Sequence, residues 1–252
     1  MNKPYILFAI PCFNEALNLE DLINSFSEVG KFYDPLFKIQ LVIIDDCSTD
    51  NTQEVLAELK NKYNFEVTKH EVNKGLTGGI NTAFEIFGKN AESDHPAYAY
   101  GIMDGDNSHG PFLAAEMANK IQQGFDIVIA SRYQSGARIC GVSSFRQILS
   151  LGVAFLFKTL RNIPGVYDYS CGYRLYSPKI VKKACAKFGH EIVIEKSFAC
   201  MVELLVKLHL LGAICTESPM LLRYDQKLGE SKMPFKKTIL GTFKLLITLR
   251  KF

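Results

Sequence analysis

No run of about 18 uncharged apolar residues occurs in this 252-residue chain, so the sequence predicts no integral membrane span. The seven cysteines form no Cys-x-x-Cys pair and are odd in number. That disfavours a disulfide framework or a zinc site and fits a reducing, cytosolic setting. The N-terminus, Met1-Asn2-Lys3-Pro4, leads into a strand-like run, not into the apolar core of a signal peptide. No Gly-x-Gly-x-x-Gly follows a strand-like run, which argues against a dinucleotide dehydrogenase, and the Gly-x-x-x-x-Gly-Lys-[Ser/Thr] order of a Walker loop is absent. The basic residues lack a nucleic-acid reader motif. With 48% hydrophobic and 22% charged residues, the balance is that of a globular protein, not of a coiled coil, a collagen-like repeat or a disordered tail.

The charge is unevenly placed. Residues 1–130 carry 9 Lys and Arg against 19 Asp and Glu, and residues 131–252 carry 20 against 7. Acidic groups can hold a cation, and basic groups can hold anions or lie on an anionic surface.

In the first half, apolar runs alternate with helical patterns. Strands are expected at 5–10, 39–44, 65–71, 98–103 and 126–130, with helices at 18–29, 52–63, 78–87 and 112–123. This order predicts an α/β fold built from right-handed βαβ units on a mostly parallel sheet. Beyond residue 131 the expectations are an apolar helix at 145–160, a short strand at 173–176, a helix at 197–211, strand-like residues at 213–224 around Pro219, and a polar loop at 225–233. Residues 235–252 read as a basic amphipathic helix set apart from a domain over 1–234. Lys237, Lys244 and Lys251 share one of its faces, and Phe235, Ile239, Phe243 and Leu246 lie on another. Such a helix suits a lipid interface, or equally packs on the domain with solvated lysines.

Ligands of open α/β sheets bind beyond the carboxyl ends of the strands. All five such ends here are polar: Pro11-Cys12-Phe13-Asn14-Glu15, Asp45-Asp46-Cys47-Ser48-Thr49-Asp50, Asn73-Lys74-Gly75, Asp104-Gly105-Asp106 and Ser131-Arg132-Tyr133. Two carboxylates flanking a glycine offer the hard oxygen ligands that Mg²⁺ or Mn²⁺ prefers, although a surface turn uses the same residue types. In the Asp45–Asp50 segment one Asp or Ser suits a helix cap, but capping does not explain three aspartates. Asn14 or Asn18 suits the cap of the first helix.

Taken together, the first four of these motifs resemble a family 2 glycosyltransferase with the GT-A fold. The second half resembles that family's dolichyl/polyprenyl-phosphate mannosyltransferase branch. There the resemblance rests on Ala130-Ser131-Arg132-Tyr133, Phe145-Arg146-Gln147, Ser150, Asp168-Tyr169-Ser170-Cys171-Gly172-Tyr173-Arg174-Leu175-Tyr176, Leu222-Arg223-Tyr224 and Gly229-Glu230-Ser231-Lys232-Met233. The resemblance implies an inverting transferase that moves a hexose from GDP-mannose or UDP-glucose to a polyprenyl or dolichyl phosphate. Pro11, Asn14, Glu15, Asp46, Lys74 and Asp104 would then serve the nucleotide-sugar, with Asp46 and Glu15 on base and ribose. Asp104 and Asp106 would hold Mg²⁺ or Mn²⁺. Arg132 and Arg146, with Ser150 and Lys232, would clamp the acceptor phosphate. Asp106, Arg132 and Arg146 are thus the catalytic candidates. The implied setting is the cytoplasmic face of a membrane, reached peripherally or through a membrane partner subunit.

Two departures stand out. Asn107-Ser108-His109 follows Asp106 where the mannosyl enzymes often carry Gln two residues on, and Lys227 stands where an arginine is common. The second reading is transfer to a sugar or protein hydroxyl, with Asp168 or Glu195 as general base. Without a tryptophan, the Gln-x-x-Arg-Trp motif of the sugar-polymer branch is excluded. Arg174 is expected to pair with Asp168, and the five histidines are expected in ordinary surface or core roles.

Overall fold

Tyr5-Ile-Leu-Phe-Ala-Ile-Pro-Cys12 is an almost wholly buried run, and such a run is stable only with both faces of its sheet covered. It forms the central strand β1 (Tyr5–Cys12) of a computed structural model that describes residues 3–143, 151–152, 157–159 and 161–229. Helix α1 (Leu19–Tyr33) follows, then β2 (Lys38–Asp45), α2 (Thr52–Leu59), β3 (Glu66–Lys69), α3 (Gly75–Ala91), β4 (Ala99–Ile102), α4 (Ala114–Gln122), β5 (Ile127–Ser131) and β6 (Arg138–Cys140). The described remainder gives β7 (Arg174–Tyr176), α5 (Pro178–Phe188), α6 (Cys200–Leu210), β8 (Cys215–Pro219) and β9 (Leu221–Arg223). Seven strands form one sheet in the order β3-β2-β1-β4-β7-β5-β8, and β6 and β9 pair separately. Every pairing in the large sheet is parallel except those of β7, which runs antiparallel between β4 and β5. The predicted α/β class and mostly parallel sheet are therefore observed.

The helices bury the stripe that their spacing predicts. Leu19, Leu22, Ile23, Phe26 and Val29 of α1 face the sheet, where Phe26 meets Phe8 edge-on with ring centroids 4.9 Å apart. Gly101 of β4 makes room for that ring. A Cβ there would sit 2.3 Å from Phe8 Cε1 and 2.9 Å from Leu175 Cδ2. Gly101→Ala is thus expected to destabilise the fold by about 1–3 kcal/mol, or about 2–12 °C in a melting experiment.

Several element bounds differ from expectation for physical reasons. β1 does not stop at Pro11 but pairs with β2 through Cys12. Pro11 faces the β4 side, where pairing has already ended at Ala9↔Ile102, so its missing N–H leaves no ladder bond unmade. Helix α3 begins at Gly75, three residues early, because a carboxylate from the end of β2 caps it, as described below. Neither β6 nor α5 was expected. Helix α5 carries a plain start signal, with the Ser177 side chain accepting from Ile180 N at 3.2 Å and Pro178 in the first turn. Of the helix expected at 145–160, residues 151–152 and 157–159 are helical, and the rest lies outside the described residues. The helix at 235–252, and with it the division into two parts, also lies outside them. Among the described residues, no helix is long and apolar enough to cross a membrane.

Candidate active site

The loops that follow β1, β2, β4 and β5 meet at the carboxyl edge of the sheet, joined by the residues just before β7 and just after β9. The first two loops interlock. Asn14, at φ 56°, accepts on Oδ1 from Thr49 N at 2.7 Å and Asp50 N at 3.3 Å, and its own N–H donates to Ser48 Oγ at 2.9 Å. The Glu15 N–H donates to Thr52 Oγ1 at 3.1 Å.

Asn18 stands at the N-cap position of α1, one of the two residues expected there, but its side chain makes no capping bond. The Asn18 amide instead donates to Glu15 Oε2 at 2.7 Å and exchanges two bonds with the Leu228 backbone, of 3.0 and 2.9 Å. In the second loop Asp50 Oδ1 accepts from Thr52 N at 3.0 Å, a local turn just before α2, whereas the N-cap position itself is held by Asn51 without a side-chain capping bond, so the helix cap expected of an Asp or Ser there is not formed in that way.

Asp46 is only 3% exposed, and both of its carboxylate oxygens are engaged within the protein. They accept from Lys74 N at 2.8 Å and Gly75 N at 2.7 Å, and one lies 2.6 Å from His70 Nδ1. His70 in turn meets Thr82 Oγ1 at 2.8 Å. A negative side chain thus caps the N-terminus of α3 from another strand. Asp46 builds the Asn73-Lys74-Gly75 turn; its carboxylate is not left open toward a base or ribose.

Asp104 and Asp106 follow β4. A Cβ at Gly105 would lie 3.2 Å from both Pro11 O and Cys12 Cβ, so the turn packs closely on the end of β1. Asp106 Oδ1 accepts from Ser108 N at 3.1 Å and Ser108 Oγ at 2.5 Å, and Oδ2 pairs with Lys227 Nζ at 2.7 Å. Burial pushes Asp106 upward, but His109, Lys227 and Ser108 outweigh it and hold the carboxyl below its ordinary range. Asp104 differs. Its carboxylate accepts no hydrogen bond among the described residues, and its side chain is 38% exposed. Burial raises its pKa against the pull of His109, and the neighbouring Asp106 raises it further. Its oxygens rest on the bare face of Gly172, where a Cβ would meet Asp104 Oδ1 at 2.7 Å. Gly172→Ala is expected to turn that carboxylate and, on the cation-binding reading proposed below, to weaken divalent-cation binding by roughly tenfold, as read by calorimetry, with little change in melting temperature.

The third feature is a cation. Arg132 grips Asp168 through Nε at 2.8 Å and Nη2 at 2.7 Å, and Nη2 also donates to Ser170 Oγ at 2.8 Å. The arginine side chain is 19% exposed and the aspartate 0%. Burial would raise Asp168, but Arg132 outweighs it and holds the carboxyl below its ordinary range. This corrects one expectation: Asp168 pairs with Arg132, not Arg174. Arg174 is fully buried and donates to the carbonyls of Cys171, Met201 and Tyr169 at 2.8–2.9 Å. A carboxylate so engaged is also a poor general base. Glu195, the other candidate base, accepts on Oε1 from Ser197 N at 3.0 Å.

The residues 168–172 therefore join the two halves of the site. Asp168 and Ser170 hold Arg132, and Gly172 lies against Asp104. Glu217, which the sequence reading missed, fixes this segment by accepting from Tyr167 N at 2.6 Å and Asp168 N at 2.5 Å. Its signal is a lone carboxylate, the one acidic residue in the strand-like stretch 213–224. Arg146, Ser150 and Lys232 lie outside the described residues.

A mixed α/β sheet with a paired-aspartate turn at its carboxyl edge is the architecture of the GT-A glycosyltransferases, and sequence comparison agrees. Residues 8–184 match Glycosyl transferase family 2, and the chain belongs to that family. It is similar to the dolichol-phosphate mannosyltransferase of Pyrococcus furiosus, with 29% identity over 200 residues, covering 77% of this chain and 53% of that protein. The chain thus spans about half the length of that relative. It is also similar to the polyprenol monophosphomannose synthase of Mycolicibacterium smegmatis, with 25% identity over 227 residues, covering 90% of this chain and 80% of that protein. In fold it resembles glucosyl-3-phosphoglycerate synthase of Mycobacterium tuberculosis, solved with Mn²⁺, UDP and glucosyl-3-phosphoglycerate. The TM-score is 0.65 at 15% identity, over 98% of this chain and 79% of that one.

Proposed function

We propose that this chain transfers a hexose, mannose or glucose, from a GDP- or UDP-linked donor to a polyprenyl or dolichyl phosphate at a membrane surface, with inversion. The observation that carries this reading is the 168–172 segment, which sets the Arg132 guanidinium beside the aspartate turn. A lipid phosphate is already anionic near pH 7 and needs a cation to place it, not a base to activate it. Asp168 is engaged by Arg132 and depressed, which agrees with a reaction that uses no general base there. The two relatives named for mannosyl transfer to such lipids support the same acceptor.

Asp104 and Asp106 are the residues that would hold Mg²⁺ or Mn²⁺. They fit, because Asp104 accepts no hydrogen bond among the described residues and two carboxylates form a hard-oxygen donor set. When bound, the cation neutralises charge on the departing diphosphate. Pro11, Asn14, Glu15 and Lys74 line the donor side, and Asp46 acts through the turn that it caps. Arg132, with Arg146, Ser150 and Lys232, takes the acceptor phosphate. The basic residues 235–252 supply the contact with the membrane, directly or through a partner subunit at the cytoplasmic face.

Incubation with radiolabelled GDP-mannose or UDP-glucose, Mn²⁺ and a short polyprenyl phosphate tests this. Label in the organic phase is the expected result. Label found only on an added sugar acceptor would overturn the lipid reading.

A further inference from the structure

We propose that His109 is the third protein ligand of the divalent cation, beside Asp104 and Asp106, and that its ring nitrogen biases the site toward Mn²⁺ over Mg²⁺. The proposal rests on the cation-dependent reading above and adds a residue to it.

His109 is 6% exposed, and its Nδ1 is buried without a hydrogen-bond partner. An unsatisfied buried polar atom of this kind costs about 1–3 kcal/mol, so a ligand that satisfies it is favoured. Nδ1 lies 3.7 Å from Asp104 Oδ2. That is too long for a hydrogen bond, yet an ion with bonds of about 2.0–2.2 Å can bridge such a pair.

The ring is aimed there by backbone and packing. Asn107, at φ 58°, reverses the chain after Asp106. Ser108 O then accepts from Arg223 N at 2.9 Å, and His109 forms an antiparallel bridge with Leu222. Tyr173 meets the imidazole edge-on, with centroids 6.0 Å apart. These contacts leave Nδ1 facing the aspartate turn.

Among the described residues, no three His, Cys, Asp or Glu side chains already converge on one point. The proposal therefore includes one movement, a rotation of the Asp106 carboxylate that gives up its present bonds to Lys227 Nζ and Ser108, so that it joins Asp104 and His109. Two carboxylates alone suit Mg²⁺ and Mn²⁺ alike. An imidazole nitrogen shifts the preference up the Irving–Williams order, toward Mn²⁺.

Pulsed EPR on the full chain with Mn²⁺, alone and with GDP or UDP, tests the assignment directly. Comparing natural-abundance protein with [¹⁵N]histidine-labelled protein identifies any directly bound imidazole without a mutation. The expected spectrum shows histidine nitrogen coupling, and phosphorus coupling once nucleotide is added. Phosphorus coupling without histidine nitrogen would overturn the role of His109 and leave the nucleotide reading standing. Histidine nitrogen without phosphorus would do the reverse, and the absence of both would overturn both. His109→Gln, which replaces nitrogen with an oxygen donor, is expected to abolish the histidine coupling and lower the Mn²⁺-to-Mg²⁺ affinity ratio about tenfold. A histidine coupling that persists in this variant would also contradict the assignment.

Discussion

Asp104→Asn is expected to lower glycosyl transfer by roughly 10²–10³-fold while leaving the melting temperature equal or higher. The rate loss follows from removing a preorganised charge that holds the cation on the leaving diphosphate, a change of about 3–4 kcal/mol in the barrier. The stability effect runs the other way. Partial burial and the neighbouring Asp106 disfavour the ionised Asp104 carboxylate in the folded chain, so a neutral isostere relieves that repulsion. Asn also keeps the shape that rests on Gly172. A rate loss accompanied by unfolding would point to a packing role. An unchanged rate would remove the residue from the chemistry.

Asp168→Ala is expected to harm both fold and activity. It strips the buried partner from Arg132 and leaves the N–H groups of Arg132 and Cys171 without the acceptor they now share. Breaking a buried pair from one side costs about 3–5 kcal/mol, or about 6–20 °C of melting temperature. A general base would behave differently, losing rate with little loss of stability.

The pair also has a pH signature. Asp168 is depressed in the folded state by Arg132. Its contribution is therefore present above the ordinary carboxylate range, and it is lost as pH falls through that range toward the lower folded value. Acid unfolding of Asp168→Asn should accordingly begin from a lower plateau and show a shallower dependence on pH. Circular dichroism across an acid titration measures this. A slope identical to that of the parent would show that Asp168 carries no such linkage.

What could be read along the chain was whatever is periodic or local. The buried runs of β1 and β2, the α1 stripe and the Asp104-Gly105-Asp106 turn all follow from side-chain spacing and turn chemistry. What escaped depends on contacts between distant segments. Asp46 looked like a ligand group because nothing nearby shows that it caps a helix starting at residue 75. Arg174 looked like the partner of Asp168 because it is close in sequence. Arg132, 36 residues upstream of Asp168, holds it instead, since β7 inserts between β4 and β5 and brings the end of β5 alongside. Asn18 looked like a cap, yet it binds Leu228 across 210 residues. His109 carries no ligand signal in the sequence because the five histidines share no ligand spacing, whereas its neighbour in space is the Asp104 carboxylate. Glu217 was hidden in a strand whose other residues are apolar or small.

The most direct test of the central claim is a calorimetric titration of the parent chain and Asp104→Asn with GDP-mannose and UDP-glucose, with and without Mn²⁺. One of the two donors is predicted to bind the parent in Mn²⁺, at least about tenfold more weakly without it, and to lose that metal dependence in the variant. Folded parent protein that binds neither donor in excess Mn²⁺ would contradict the account.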